Sequence, residues 1–124
     1  MNDRYLYKAK CTDSVEWVKG YLLKYADTAQ IWVQTNQGNW NYTVDPSTIC
    51  QCTGLKDKNG KLIWENDIVK VHDDEEPCLI EWGEDTAGWN MTQYDSYLYD
   101  FDNYWSYEVE VIGSAIDNLE LLEV

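Results

Sequence analysis

Short runs in which large apolar or β-branched residues alternate with polar ones recur along the chain. Val15–Leu23 is rich in Val, Trp, Tyr and Leu, with a break at Gly20. Gln30–Thr35 follows, then the turn cluster Asn36-Gln37-Gly38-Asn39, then Trp40-Asn41-Tyr42-Thr43-Val44. Alternation bounded by Gly and Asn predicts strands, the last two forming a hairpin. Asp57-Lys58-Asn59-Gly60 is the strongest turn signal, because Asn-Gly tolerates the positive φ angles of a tight hairpin; it sits between Leu55 and Leu62-Ile63-Trp64. Ile68–Val71 and Cys78–Trp82 read as two further strands, joined by the solvated run Asp73–Pro77. Tyr107–Gly113 alternates with its valines placed inward and its glutamates outward. Only Ile116–Leu122 has the pattern of a short helix. No repeat and no Pro/Gly-rich linker appears. The pattern therefore predicts one mainly β domain over residues 1–124, a small barrel-like or strongly curved antiparallel sheet with a short C-terminal helix.

Composition narrows the function classes. A chain of 124 residues buries enough surface for a core without staples, and 44% hydrophobic with 26% charged residues suits neither a membrane protein nor a disordered tail. No apolar run has transmembrane length, and the start MNDRYLYKAK has no apolar signal core, so the cytoplasm is the expected location. Cysteines are expected there as thiols or metal ligands. The net charge is −14, and it is unevenly spread. All nine Lys and Arg lie in residues 1–70 beside eight carboxylates, whereas the stretch from Val71 onward has fifteen carboxylates and no Lys or Arg. Phosphate would be repelled by such a chain, which excludes direct nucleic-acid binding. The acidic half is either a solvated face or a docking surface for a basic partner.

The block Val44-Asp45-Pro46-Ser47-Thr48, followed by Thr53-Gly54-Leu55-Lys56-Asp57-Lys58-Asn59-Gly60-Lys61-Leu62-Ile63-Trp64-Glu65-Asn66-Asp67-Ile68-Val69, resembles the hallmark of the YopX family. Glu16–Tyr21 resembles the family's early WVxGY strand, and Tyr107–Gly113 with Asn118–Leu122 resembles its closing segment. The resemblance implies a small β-rich protein of phages and prophages and carries no catalytic residues. It also implies structural roles in the central block: Gly54 and Asn59-Gly60 shape turns, and Leu55, Ile63 and Ile68 fill a core. Cys50-Gln51-Cys52 stands where the family has Gly-Gln-Tyr, and Asn66 where it has Gly; Asn can adopt the same left-handed geometry.

Two groups of residues bear on chemistry. Cys50 and Cys52 would share one face of a strand, and with Cys11 and Cys78 they could form a closed, structural zinc site in which His72 could replace one thiol. The alternative is four buried small hydrophobes. The second group is the acidic aromatic stretch: Glu84, Asp85 and Trp89, then Asp95, Tyr97, Tyr99, Asp100, Asp102, Trp105, Glu108 and Glu110. In extended chain, Asp100 and Asp102 share a face, as do Glu108 and Glu110, at ~6.6–6.8 Å, about two nucleotide steps. Carboxylates so spaced can stand in for phosphates in a groove lined by Arg and Lys, with Tyr and Trp as anchors. The alternative is a meander with its aromatics in the core and its acids in water. No nucleotide-loop, zincin or nucleophile-elbow motif is present, and the single His72 offers little for a Cys–His pair, so a non-enzymatic protein is expected. The leading expectation is a phage protein that binds a host protein with a basic, nucleic-acid-binding surface, concretely an anti-CRISPR that keeps a Cas effector from engaging DNA. A phage housekeeping role, carbohydrate binding, and glycan hydrolysis by Asp100 and Asp102 are the alternatives.

Overall fold

The computed structural model describes residues 5–71, 76–84, 87–93, 96–101 and 107–122, with 96–100 described by their backbone. Among the described residues there are eleven strands: β1 Tyr7–Lys10, β2 Trp17–Tyr25, β3 Thr28–Thr35, β4 Gly38–Val44, β5 Cys50–Lys56, β6 Leu62–Trp64, β7 Asp67–Lys70, β8 Cys78–Gly83, β9 Gly88–Gln93, β10 Ser96–Asp100 and β11 Glu110–Ser114. They form two antiparallel sheets. The chain also divides into two compact units, Met1–Cys52 and Thr53–Val124. Among the described residues no helix is long and apolar enough to cross a membrane.

The first unit is a meander in the order β4-β3-β2-β1, with the start of β5 beside β1. Residues directly opposite one another share a face, so Leu22, Ile31 and Tyr42 line one side and Tyr21, Trp32 and Asn41 the other. The inner side closes on buried Ala9, Ala29, Ile31 and Val44. The glycine break in β2 has a steric cause: a Cβ on Gly20 would collide with the Trp32 carbonyl. With that approach open, the sheet curls until Cys11, just past β1, bridges Val44 at the end of β4. Thr12 N donates to Thr43 O (3.1 Å) and Asp45 N to Lys10 O (2.9 Å). One bridge is not a ladder: in place of the single barrel-like or strongly curved sheet expected, the described residues form two antiparallel sheets and no closed barrel.

The Val44–Thr48 motif supplies the link that leaves this curl. Asp45 Oδ1 accepts from Ser47 N (3.0 Å) and Ser47 Oγ (2.8 Å), capping the 3-10 turn Pro46–Thr48. Thr48 Oγ1 then accepts from Lys10 N at 2.8 Å, tying the turn to β1.

The second unit holds the sheet β10-β9-β8-β7-β11, together with the later residues of β5 and β6. Its core is Ile63, Val69, Cys78, Ile80, Met91, Phe101 and Val109, flanked by Leu55, Val71, Trp89 and Val111. Asp57–Lys61 joins β5 to β6. It is longer than a two-residue hairpin turn, and there only Gly60 is left-handed (φ 81°). The organising group is the buried Asp57 carboxylate. Its Oδ1 accepts from Asn59 N and Lys61 N, both at 2.9 Å, and its Oδ2 from Val111 N at 3.0 Å. Burial alone would push this carboxyl up, but the three amides and the nearby Lys61 charge outweigh that and hold it below its ordinary 3.8. The β6–β7 turn has Asn66 at φ 71°, in the left-handed geometry expected of Asn in place of Gly, while Asp67 Oδ2 accepts from Trp64 N at 2.8 Å.

Three expectations are corrected. Gly54 does not shape a turn; it lies inside β5 at φ 80° and breaks its regular alternation, with Leu55 N donating to Thr53 Oγ1 (3.1 Å). The strand expected over Tyr107–Gly113 begins only at Glu110, because Tyr107 and Glu108 form a turn; Val109 is fully buried and Val111 packs on the core, as alternation required. The C-terminal helix is a 3-10 turn, Leu119–Leu122. Asn118 turns its side chain back to Ser114 N (3.2 Å), and the segment is far shorter than a self-sustaining helix.

Replacing Asp57 by Ala leaves three amides without their acceptor, and a fall of at least ~2 kcal/mol in denaturant-derived stability is expected. The pH dependence has a definite sign. Because the folded carboxyl titrates below its unfolded value, its contribution is complete above about 3.8 and is lost as pH falls through the folded value. The stability gap between wild type and Asp57→Asn should therefore be open at neutral pH and narrow in acid. At Asn66, the Gly variant should be more stable than the Ala variant by ~1 kcal/mol in the same assay.

Candidate docking surface

Charge separates along the boundary between the units. Residues 1–52 carry five Lys/Arg against five Asp/Glu, while residues 53–124 carry four against eighteen. The whole net charge of −14 thus belongs to the second unit.

Not all of those carboxylates are available to a partner. Asp57 and Asp67 are buried and turned onto backbone amides. Glu81 Oε2 accepts from Thr92 Oγ1 at 3.1 Å. Glu110, at the start of β11, lies 3.9 Å from Lys58 Nζ, accepts from Asn59 Nδ2 (3.3 Å), and leaves its side chain 46% exposed. Such an open pair contributes little to stability, but it means that a cation of the Asp57 loop meets this acid. Glu76, Glu84, Glu108 and Glu120 stand exposed.

Exposed aromatic residues stand beside two of them in sequence. Trp82 and Trp89 face each other across the β8–β9 hairpin, with ring centroids 5.2 Å apart at 78°, an edge-to-face pair. Trp89 leans on the core, while Trp82 is 46% exposed. Glu84 lies in the turn just beyond. Tyr107 is also exposed, next to Glu108. Neither Trp82 nor Tyr107 was among the expected docking residues; the signal for Trp82 was its place at the end of an alternating strand, next to a glycine.

The remaining expected residues divide. Tyr97, Tyr99 and Asp100 lie on β10, opposite Thr92, Met91 and Asn90. A register shift between Tyr97 and Tyr99 breaks the regular alternation assumed for this stretch. Phe101 closes the strand by donating its N–H to Trp89 O (2.7 Å) and is buried. The expected Glu108–Glu110 row is not a strand face, because Glu108 sits in the turn. Asp85, Asp95, Asp102 and Trp105 lie outside the described residues, as does His72.

The expected zinc ligands are also distributed. Cys11, Cys50 and Cys52 belong to the first unit and Cys78 to the second, and all four are buried. Cys50 and Cys52 occupy alternate positions of β5, both fully buried. The Cys50 thiol donates to Thr48 O (3.4 Å) and that of Cys78 to Glu76 O (3.9 Å). Among the described residues no group of three or more His, Cys, Asp or Glu is arranged to hold a metal. The thiols should resist alkylation in native buffer and all react once guanidinium unfolds the chain; rapid native labelling of Cys50 or Cys52 would contradict their burial.

The family model described as YopX protein matches residues 6–123. No curated protein matches the chain.

Proposed function

Given that this chain belongs to the YopX family, which points to a small phage-type protein, we propose that it acts without catalysis, by presenting its acidic second unit to a basic surface on a host protein. The observation that carries this reading is the partition of charge: a neutral first unit, and a second with eighteen carboxylates against four cations. A field of that sign accelerates encounter with a surface lined by Arg and Lys and repels nucleic acid competing for the same groove. Single exposed ion pairs contribute ~0–1 kcal/mol, so affinity would come from several together and from anchors such as Trp82 and Tyr107. The host target in this reading is a nucleic-acid-handling defence factor in the cytoplasm, with a Cas effector kept from DNA as its concrete form.

A second reading has its own observation. An open groove of about 430 Å³ on the first unit is lined by Tyr21, Leu22, Leu23, Trp32, Val33, Gln34 and Asn39, with no carboxylate or ammonium group among them. Aromatic faces beside amides suit an uncharged sugar, and such binding would be insensitive to salt.

The test is capture from host lysate by the intact protein at low and high salt. A basic, nucleic-acid-binding protein should be retained at low salt and released at high salt. Changing Glu84, Glu108 and Glu120 together to amides should cut retention severalfold without unfolding the chain. Retention of no such protein, or equal retention by the amide variant, overturns the electrostatic reading; glycan-array binding that survives high salt favours the second.

A further inference from the structure

Backbone parity shows which groups on β4 face away from β3. Thr12 N donates to Thr43 O and Asp45 N to Lys10 O around the Cys11–Val44 bridge, so Thr43 and Asp45 point their main chain outward. Alternation then turns the N–H and C=O of Asn39 and Asn41 the same way, while Gly38, Trp40, Tyr42 and Val44 bond to β3. β4 ends its sheet, and among the described residues no strand pairs with this edge before Thr43. Residues 39–42 are all exposed, Trp40 at 53%.

Exposed edges are ordinarily blunted by Lys, Pro or inward charges. From Asn36 to Val44 this chain has none of these. The edge also belongs to the unit of zero net charge, so neither the strand nor its own unit sets a net like charge against a second copy.

We propose that a second copy of this chain adds to the free edge of β4, antiparallel and centred on Trp40. In that register Asn39 and Asn41 of one copy form hydrogen-bonded pairs with Asn41 and Asn39 of the other, and Thr43, whose carbonyl already serves Thr12, is left out. The two Trp40 residues occupy a non-hydrogen-bonded pair, the closer of the two antiparallel spacings, where aromatic cross-strand contact is strongest. The interface is two-fold symmetric and closed, which limits assembly through this edge to a dimer.

Light scattering on the intact protein should give twice the 14.6 kDa chain mass as concentration rises. Asn41→Pro removes an outward N–H without touching the β3 ladder, and Asn41→Lys places a charge on the edge; both should shift the equilibrium to monomer while keeping the wild-type circular dichroism. Trp40→Cys, oxidised with glutathione disulfide, should cross-link copy to copy, since opposed Cα atoms ~4.5 Å apart accept a disulfide. Tyr42→Cys should not, because its copies would lie four residues, ~13 Å, out of register. A wild-type monomer into the millimolar range overturns the proposal. So does a dimer that a folded Asn41→Lys variant leaves intact, or cross-linking by Tyr42→Cys as efficient as by Trp40→Cys.

Discussion

One carboxylate organises the second unit. Asp57 gathers the amides of Asn59 and Lys61 from its own loop and that of Val111 from β11, 54 residues on. Lys58 N reinforces the joint by donating to Val109 O at 3.0 Å. Val109 and Val111 are thereby held against the cluster of Ile63, Val69 and Ile80. A buried charge is costly unless hydrogen bonds surround it, and here they outweigh the burial. The family's conspicuous central block is explained by this: Asp57 is needed for its acceptors, Gly60 for its left-handed turn, and Leu55 and Ile63 for the apolar side of the same joint.

The same fact limits what the acidic composition can mean. Asp57 and Asp67 are architectural, Glu81 has a hydroxyl partner within its sheet, and Glu110 meets Lys58. Exposed carboxylates such as Glu84 and Glu108 have no comparable structural bond in view, and they stand near Trp82 and Tyr107. Self-repulsion among so many like charges disfavours compactness, yet the opposing unit of the same chain is balanced. Solubility alone would not require such segregation of charge along the chain.

Much of the fold was legible because alternation and turn chemistry agreed. The β3–β4 hairpin follows from Gln30–Thr35, the Asn36-Gln37 turn and Trp40–Val44, and Asn66 took the left-handed geometry expected in place of glycine. β1 escaped notice because Tyr7-Lys8-Ala9-Lys10 has only Ala9 fully buried; both lysines lie over the Trp17 ring, at 4.7 and 5.5 Å, an arrangement that depends on the partner strand. The docking stretch was the least legible part. Alternation predicted faces for Asp100, Glu108 and Glu110, but a register shift in β10 and a turn at Tyr107–Glu108 reset the phase, and such irregularities leave no mark in a period-two pattern. The glycine break at Gly20 was visible, but its cause, the Trp32 carbonyl, lies on another strand.

The curl of the first sheet and its exposed edge have one origin. Gly20 lets β2 and β3 approach closely enough for the meander to bend back on itself, so the end of β4 reaches Cys11. Closure then stops, because β1 has four residues and β4 has seven. Beyond Lys10 the chain must reverse into β2: Cys11 N donates to Glu16 O at 2.9 Å and Val15 N to Cys11 O at 3.1 Å, with Val15 forced to φ 53°. A β-branched residue in that conformation is unfavourable by ~1–2 kcal/mol, so the reversal is imposed by the strands on either side of it. With the first strand ended there, the bridge satisfies Thr43 and Asp45 and cannot extend back to Asn41 and Asn39. The length mismatch leaves an uncharged strand edge bearing Trp40, on the unit of zero net charge.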